Sequence, residues 1–265
     1  MAYTYEDMVF EKEGGIAIVT MNRPEKLNAL SEAVRKGLIQ VIREVEQDDD
    51  VRVMILTGAG ERGFCSGAEP ASLGAGRRVA GGDRSYRKGP LSAPVKMLRN
   101  MDKLVIAAVN GVAAGAGFGL ALACDIRIAS ENASFINAFV RRGLHAAWGL
   151  TYWMPRVVGI ANALEVLCTG DKIDAREAQR LGLVSRVVPA ADLMKEAKAF
   201  AARLAKQPPM AIEFIKRLVY DGLDNNLEAQ LRYEIQCGNI LSQTEDFQEG
   251  INAFKEKREP VFKGE

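Results

Sequence analysis

Three glycines, Gly115, Gly117 and Gly119, stand in GVAAGAGFGLALACD (111–125), directly after the apolar run Leu104–Val109 and ahead of another, Leu120–Cys124. No side chain between Gly111 and Cys124 can usefully move a proton, so any chemistry here belongs to the backbone. A second stretch, MILTGAGERGFCSGAEPASLG (54–74), repeats the plan: apolar strand, glycine turn, then Gly67-Ala68 expected to open a helix. Helix starts leave N–H groups unpaired and carry partial positive charge. Two such starts converging on one oxygen form an oxyanion hole, which stabilises negative charge developing on a carbonyl. Small residues let that carbonyl come within about 3 Å of the amides. A phosphate-cradling loop would need Gly-Lys-Ser/Thr at its end, and Leu120 follows Gly119. A dinucleotide fingerprint would need glycine at 120; tight packing of a helix on a strand remains an alternative use of the glycines.

The elements that must position these backbones are readable around them. MVFEKEGGIAIVTMNRP (8–24) predicts a hairpin turning at Gly14-Gly15 and stopped by Pro24. Val34, Leu38, Val41, Ile42 and Val45 share one helical face, with Ser31 placed as cap. Strands are expected in VRVMILTGAG (51–60), from Leu104 to Asn110, in IRIAS (126–130) and in VSRVV (184–188). Alternating strands and helices predict an α/β, mostly parallel sheet or spiral. Past about residue 160 the pattern becomes helical: 161–169, 174–181 between Asp174 and Gly182, 191–206, 209–222, and 227–257 with a break. The division expected is a core over 1–190 and a helical region over 191–265. Between Gly74 and Pro94 five basic residues face Asp83 alone, and the segment reads as a mobile surface loop whose Tyr86, Arg87 and Lys88 could cover a ligand.

Composition narrows the functions. The chain has 265 residues, 48% hydrophobic, and a net charge of +1, which offers no footprint for nucleic acid or an anionic membrane. No apolar run approaches the roughly 20 residues needed to span a bilayer. The polar start MAYTYEDMVFEKEGG is unlike a signal peptide, and four scattered cysteines fit a reducing, cytoplasmic setting. His145 is the only histidine and has no cysteine at ligand spacing, so no metal site is expected.

NRPEKLNAL (22–30), GFCSGAE (63–69), AAGAGFGLALACDIRIA (113–129), TGDKIDAREAQRLGLVSRVV (169–188) and AFKEKREPVFKG (253–264) occur in order almost end to end. Together they resemble the crotonase, or enoyl-CoA hydratase/isomerase, superfamily. The resemblance implies a crotonase-like ββα spiral core, a helical C-terminal trimerisation region, and a homotrimer or dimer of trimers. It also implies an acyl-CoA substrate and no cofactor beyond the coenzyme A of that substrate. By motif position the two oxyanion amides are those of Ala68 and Ala116, where relatives often read Gly-Gly-Gly and this chain has Gly115-Ala116-Gly117. Coenzyme A contacts carry over to Lys26, Leu27 and Ala29, to Ser66 and Gly67 beside the carbonyl, and to Phe254 and Lys257 near adenine or phosphate.

The proton-handling side chains depart from the pattern. The resemblance puts catalytic acids of hydratases and isomerases at the positions of Gly119, Phe139 and Ala147. Phe139 is then a lining residue rather than an acid. Glu69, next to the oxyanion alanine, and His145, in the loop that carries an acid in some relatives, are the remaining candidates. A histidine titrating near about 6.5 suits a base. Alternatives are plainer: Glu69 as a helix-start acid, His145 as a packed or surface side chain, and Arg141 and Arg142 as partners for acids. Cys65 reads as a buried thiol, and Ser66, Asp125 and His145 follow hydrolase order without the GxSxG elbow. Trp148, Tyr152 and Trp153 read as packing. The function expected is acyl-CoA chemistry of the hydratase/isomerase type; the alternatives are decarboxylation, other non-hydratase chemistry, or a catalytically weak thioester-binding paralogue.

Overall fold

Period-two alternation with both faces apolar organises the main sheet. Residues Ala17, Val19, Met54, Leu56, Val105 and Ala107 enter one core, while Ile16, Ile18, Val53, Ile55, Ile106 and Ala108 enter a second on the opposite face. Parallel strands covered on both sides read in this way as continuous hydrophobic runs. The computed structural model describes residues 2–69 and 92–265, so most of the segment read as a loop, with Tyr86, Arg87 and Lys88, lies outside the described residues, while its last two, Ala93 and Pro94, open a helix whose Pro fits the first turn.

The sheet takes β1 (Ala2–Tyr5), β2 (Met8–Glu13), β3 (Ile16–Met21), β4 (Val53–Gly58), β6 (Leu104–Val109), β8 (Ile126–Ser130) and β11 (Arg186–Val188) in that spatial order. β1 to β3 pair antiparallel, and β3 onward pair parallel. A second sheet of short strands has the order β10-β9-β7-β5, with β5 (Gly63–Cys65), β7 (Val112–Ala114), β9 (Ser134–Ile136) and β10 (Ile173–Asp174). Each long strand β4, β6 and β8 is thus followed by a short one that turns into the second sheet. The result is the repeating ββα spiral expected.

Helices close the turns. The first, α1 (Glu32–Gln47), is capped by Ser31, whose Oγ accepts from Val34 N at 3.1 Å. Then come α2 (Ala93–Asn100), α3 (Ala116–Ala123), α4 (Leu150–Val158), α5 (Ile160–Thr169) and α6 (Ala175–Arg180), the last capped by Asp174. The sequence reading omits α4, which carries Pro155 in its interior, a residue uncommon inside helices. It also omits β5, β7, β9 and β10, each too short to show a period. The C-terminal helices are α7 (Leu193–Ala205), α8 (Pro209–Asp221), α9 (Leu227–Leu241) and α10 (Glu245–Glu256). Leu193, Ala197 and Ala201 of α7 cover the second core.

Two buried asparagines clamp the corner between β4 and β5. Asn28 Nδ2 donates to Ala59 O at 3.0 Å and Gly63 O at 2.6 Å, and its Oδ1 accepts from Arg23 N at 2.8 Å. Asn110 Nδ2 donates to Gly60 O at 2.6 Å and Gly63 O at 3.0 Å, while its Oδ1 accepts from Gly58 N at 3.2 Å. Buried backbone groups at a corner need such partners, and these side chains supply them.

Candidate active site

The ends of β5 and β7 meet because glycines allow it. Any Cβ on Gly117 would collide with the carbonyl of Cys65, so the first turn of α3 lies directly on the end of β5. Gly115 precedes α3 with φ +53°, a left-handed conformation open to glycine. Gly67, at φ +88°, sits so close that a Cβ there would lie 2.6 Å from Ala114 O and 3.3 Å from Ala116 N. Gly67 and Ala68 do not open a helix, contrary to the sequence reading: Ala68 is extended and bridges Leu30, whose N–H donates to Gly67 O at 2.8 Å. Anything helical beyond Glu69 falls outside the described residues. The extended pairing with 27–30 wins because it satisfies the carbonyl of Gly67. Among the described residues, neither the Ala68 nor the Ala116 N–H meets a protein acceptor.

The segment 23–30 is held against this junction. Leu27 and Asn28 adopt φ +50° and +55°, an uncommon conformation for leucine that the three bonds of Asn28 sustain. Ser66 N donates to Leu27 O at 3.0 Å, and Ser66 Oγ donates to Lys26 O at 3.2 Å. Ala29 is buried, while the Lys26 side chain is exposed. Glu69 is engaged by Arg23, whose NH1 lies 2.6 Å from Oε1 while its Nε lies 3.2 Å from Asp7. The hydrogen bond that Arg23 donates to Glu69 raises its guanidinium above its usual value. Ser66, Gly67, Ala68, Ala116 and the loop bearing Lys26, Leu27 and Ala29 therefore come together.

Three positions matched by resemblance to acids hold none. The ring of Phe139 is 3.7 Å from where a Gly115 Cβ would project, so an aromatic face flanks the start of α3. Gly119 is packed against Trp148: a Cβ there would collide with the Trp148 carbonyl and lie 2.6 Å from the Trp148 Cβ. Trp148 itself has φ +57°. Its backbone thus occupies the space into which a side chain at 119 would extend. Ala147 precedes it.

His145 is exposed, and its Nδ1 lies 2.8 Å from Ala146 O. A carbonyl only accepts, so this contact is a hydrogen bond only when Nδ1 carries a proton, and Nε2 is then the acceptor in the neutral tautomer. Cys65 is buried, and desolvation pushes its thiol up to about 12, which removes it as a nucleophile. The hydrolase-like trio is not assembled, since Ser66 bonds Lys26 O and Asp125 bonds Lys216 and Tyr220. Arg141 pairs with Asp171 at 3.5 Å. Among the described residues no three His, Cys, Asp or Glu side chains cluster as metal ligands, and no helix is long and apolar enough to cross a membrane.

Phe254, 86% exposed, and Lys257, the left-handed cap of α10, lie in the C-terminal helical region. Phe254 lines an apolar cleft of about 530 Å³ with Met210, Leu241, Phe247 and Phe262. Among the described residues no hydrogen bond joins either of them to Lys26. Sequence reasoning missed Arg23, Asn28 and the backbone role of Trp148. The first two stand inside NRPEKLNAL and were signalled there; the third is visible only as a contact with Gly119.

A model of the enoyl-CoA hydratase/isomerase family matches residues 11–265. The chain is 39% identical to a probable enoyl-CoA hydratase of Rhodobacter capsulatus, over 98% of this chain and 99% of that protein. It is 37% identical to the 1,2-epoxyphenylacetyl-CoA isomerase of Escherichia coli, over 95% and 96% of the two. The solved enoyl-CoA hydratase of Bacillus anthracis superposes with a TM-score of 0.89 at 33% identity, covering 98% of this chain and 100% of that one.

Proposed function

The chain belongs to the enoyl-CoA hydratase/isomerase family and is an acyl-CoA-processing enzyme, and from that premise we propose that the N–H groups of Ala68 and Ala116 together hold the thioester carbonyl of its substrate. The observation that carries this reading is the approach of Gly67 to the start of α3, with a Gly67 Cβ direction only 3.3 Å from Ala116 N. Two donors on different strand ends would then face one oxygen. Charge reaches that oxygen whenever a substituent leaves the α-carbon without its bonding pair, which then spreads onto the oxygen, or when a nucleophile adds at the β-carbon of a conjugated enoyl thioester. Fixed amides stabilise the resulting enolate without reorganising. Lys26, Leu27 and Ala29 would bind the coenzyme A portion, with Phe254 and Lys257 contributing from a neighbouring subunit of a homotrimer or a dimer of trimers. The proposed setting is cytoplasmic.

A second reading has its own support. Gly119 cannot carry a carboxylate while Trp148 packs on it, and Phe139 and Ala147 supply none. Paired-glutamate hydration is therefore disfavoured. A reaction that forms the enolate with little acid–base help, such as decarboxylation of a malonyl-type acyl-CoA, fits better unless His145 or Glu69 moves the proton. In decarboxylation the breaking C–C pair becomes the enolate pair and CO₂ departs, so no base is needed, and a proton that water can supply then completes the α-carbon. Assays of crotonyl-CoA hydration and of malonyl-CoA decarboxylation side by side test this. Robust hydration would contradict the second reading and point to His145 or Glu69. Turnover of neither, with acyl-CoA bound, would support a thioester-binding paralogue.

A further inference from the structure

We propose that the cavity between α2 and α4 receives a carboxylate at the far end of the acyl group; this rests on the thioester-binding reading above. The cavity, about 360 Å³, is bounded by Ser92, Val95, Lys96 and Arg99 on one side and by Gly149 and Trp153 on the other. No Asp or Glu is among its described lining residues.

Besides Ser92, Asn100 and Tyr152, its polar groups include two donors, Arg99 and Trp153, that meet no acceptor among the described residues. The Arg99 guanidinium is half-buried and stacks 3.5 Å over the ring of Tyr220, yet among the described residues it meets no carboxylate or carbonyl. Trp153 is 6% exposed, and its Nε1 is buried with no hydrogen-bond partner among the described residues. A Cβ on Gly149 would lie 2.8 Å from that nitrogen, which places Nε1 beside the cavity wall that Gly149 forms. Burying an N–H without an acceptor is costly, and a ligand oxygen removes the cost. A planar guanidinium beside it matches the two oxygens of a carboxylate. Lys96 adds a second positive charge at the rim.

Position ties the cavity to the thioester. Gly149 follows Trp148, which packs on Gly119, and Gly119 lies one turn after Ala116 on α3. A short acyl chain whose carbonyl sits at Ala116 would run past Trp148 toward Arg99. The substrate class inferred is an acyl-CoA bearing a second, distal carboxylate.

Binding of glutaryl-CoA and of pentanoyl-CoA, equal in chain length and differing in the distal carboxylate, is measured by calorimetry on the full-length protein. Glutaryl-CoA is expected to bind at least about tenfold tighter. Arg99→Met and Trp153→Phe should each reduce that preference while leaving pentanoyl-CoA affinity in place, which also shows that the variants are folded. Equal affinities in the wild type would overturn the inference alone. Failure of both thioesters to bind would overturn the thioester reading and this one with it. Free glutarate binding as tightly as glutaryl-CoA, with the same dependence on Arg99, would overturn it in favour of a free-anion site.

Discussion

Gly119 illustrates how one residue can settle a chemical question by geometry. The absence of a carboxylate there was legible in the sequence; the reason, the backbone of Trp148 lying against its Cα, was not. Gly119→Ala should cost about 1–3 kcal/mol, the usual penalty for overpacking a filled site, read as a lower denaturation midpoint with an unchanged slope. An unchanged midpoint would mean that the Trp148 loop yields freely. Lys26 is a second single-residue case, exposed on a loop whose backbone is fixed by Ser66 and Asn28. Lys26→Ala should weaken acyl-CoA binding by about 1–2 kcal/mol, typical of a charge-assisted contact, measured by titration. Unaltered affinity would remove Lys26 from the site. His145 and Glu69 divide the proton-transfer question: loss of turnover in His145→Gln with Glu69→Gln unaffected assigns the base to the imidazole. Because Arg23 already grips Glu69 at 2.6 Å, substitution there is expected to loosen the 23–30 loop and lower acyl-CoA affinity, so turnover of the two variants is compared at saturating substrate.

Among elements, the long strands and most helices announce themselves by period, as with α1 and its Ser31 cap. The second sheet does not, because three-residue strands such as Gly63–Cys65 and Val112–Ala114 are too short for alternation to register. The corner that leads into Gly63–Cys65 is held by Asn28 and Asn110, whose partners there lie 31 to 52 residues away in the chain and so leave no local period. The same holds for the tie between α8 and the sheet. Lys216, buried, donates to Asp125 Oδ2 at 2.8 Å, to Lys103 O at 2.9 Å and to Leu98 O at 3.2 Å. Asp125 also accepts from Val105 N at 2.7 Å and from the Tyr220 hydroxyl at 2.8 Å. Asp125→Ala would leave a buried ammonium without its counter-charge, a loss of about 3–5 kcal/mol in such pairs. Chemical denaturation tests it; a loss below about 1 kcal/mol would show that water reaches Lys216 in the variant.

At the scale of the molecule, the near-neutral charge and the ββα spiral agree with a protein that acts on a small thioester. The C-terminal helices expose large apolar side chains, Leu227 at 74% and Phe254 at 86% besides Val219 and Ile235, and exposed apolar surface of this kind marks association sites when it is clustered. Light scattering should give a mass three or six times 28.9 kDa, and a monodisperse monomer would contradict the proposed assembly. The central claim concerns the carbonyl itself. Ala116 is the first residue of α3, where proline fits a helix while deleting the N–H. Isotope-edited infrared spectra of acyl-CoA labelled with ¹³C at the thioester carbonyl should show the C=O band moved to lower frequency in the wild-type complex. In Ala116→Pro that shift should shrink markedly, with coenzyme A still bound and circular dichroism unchanged. The same shifted band in wild type and variant would contradict the assignment of the Ala116 amide to the thioester oxygen.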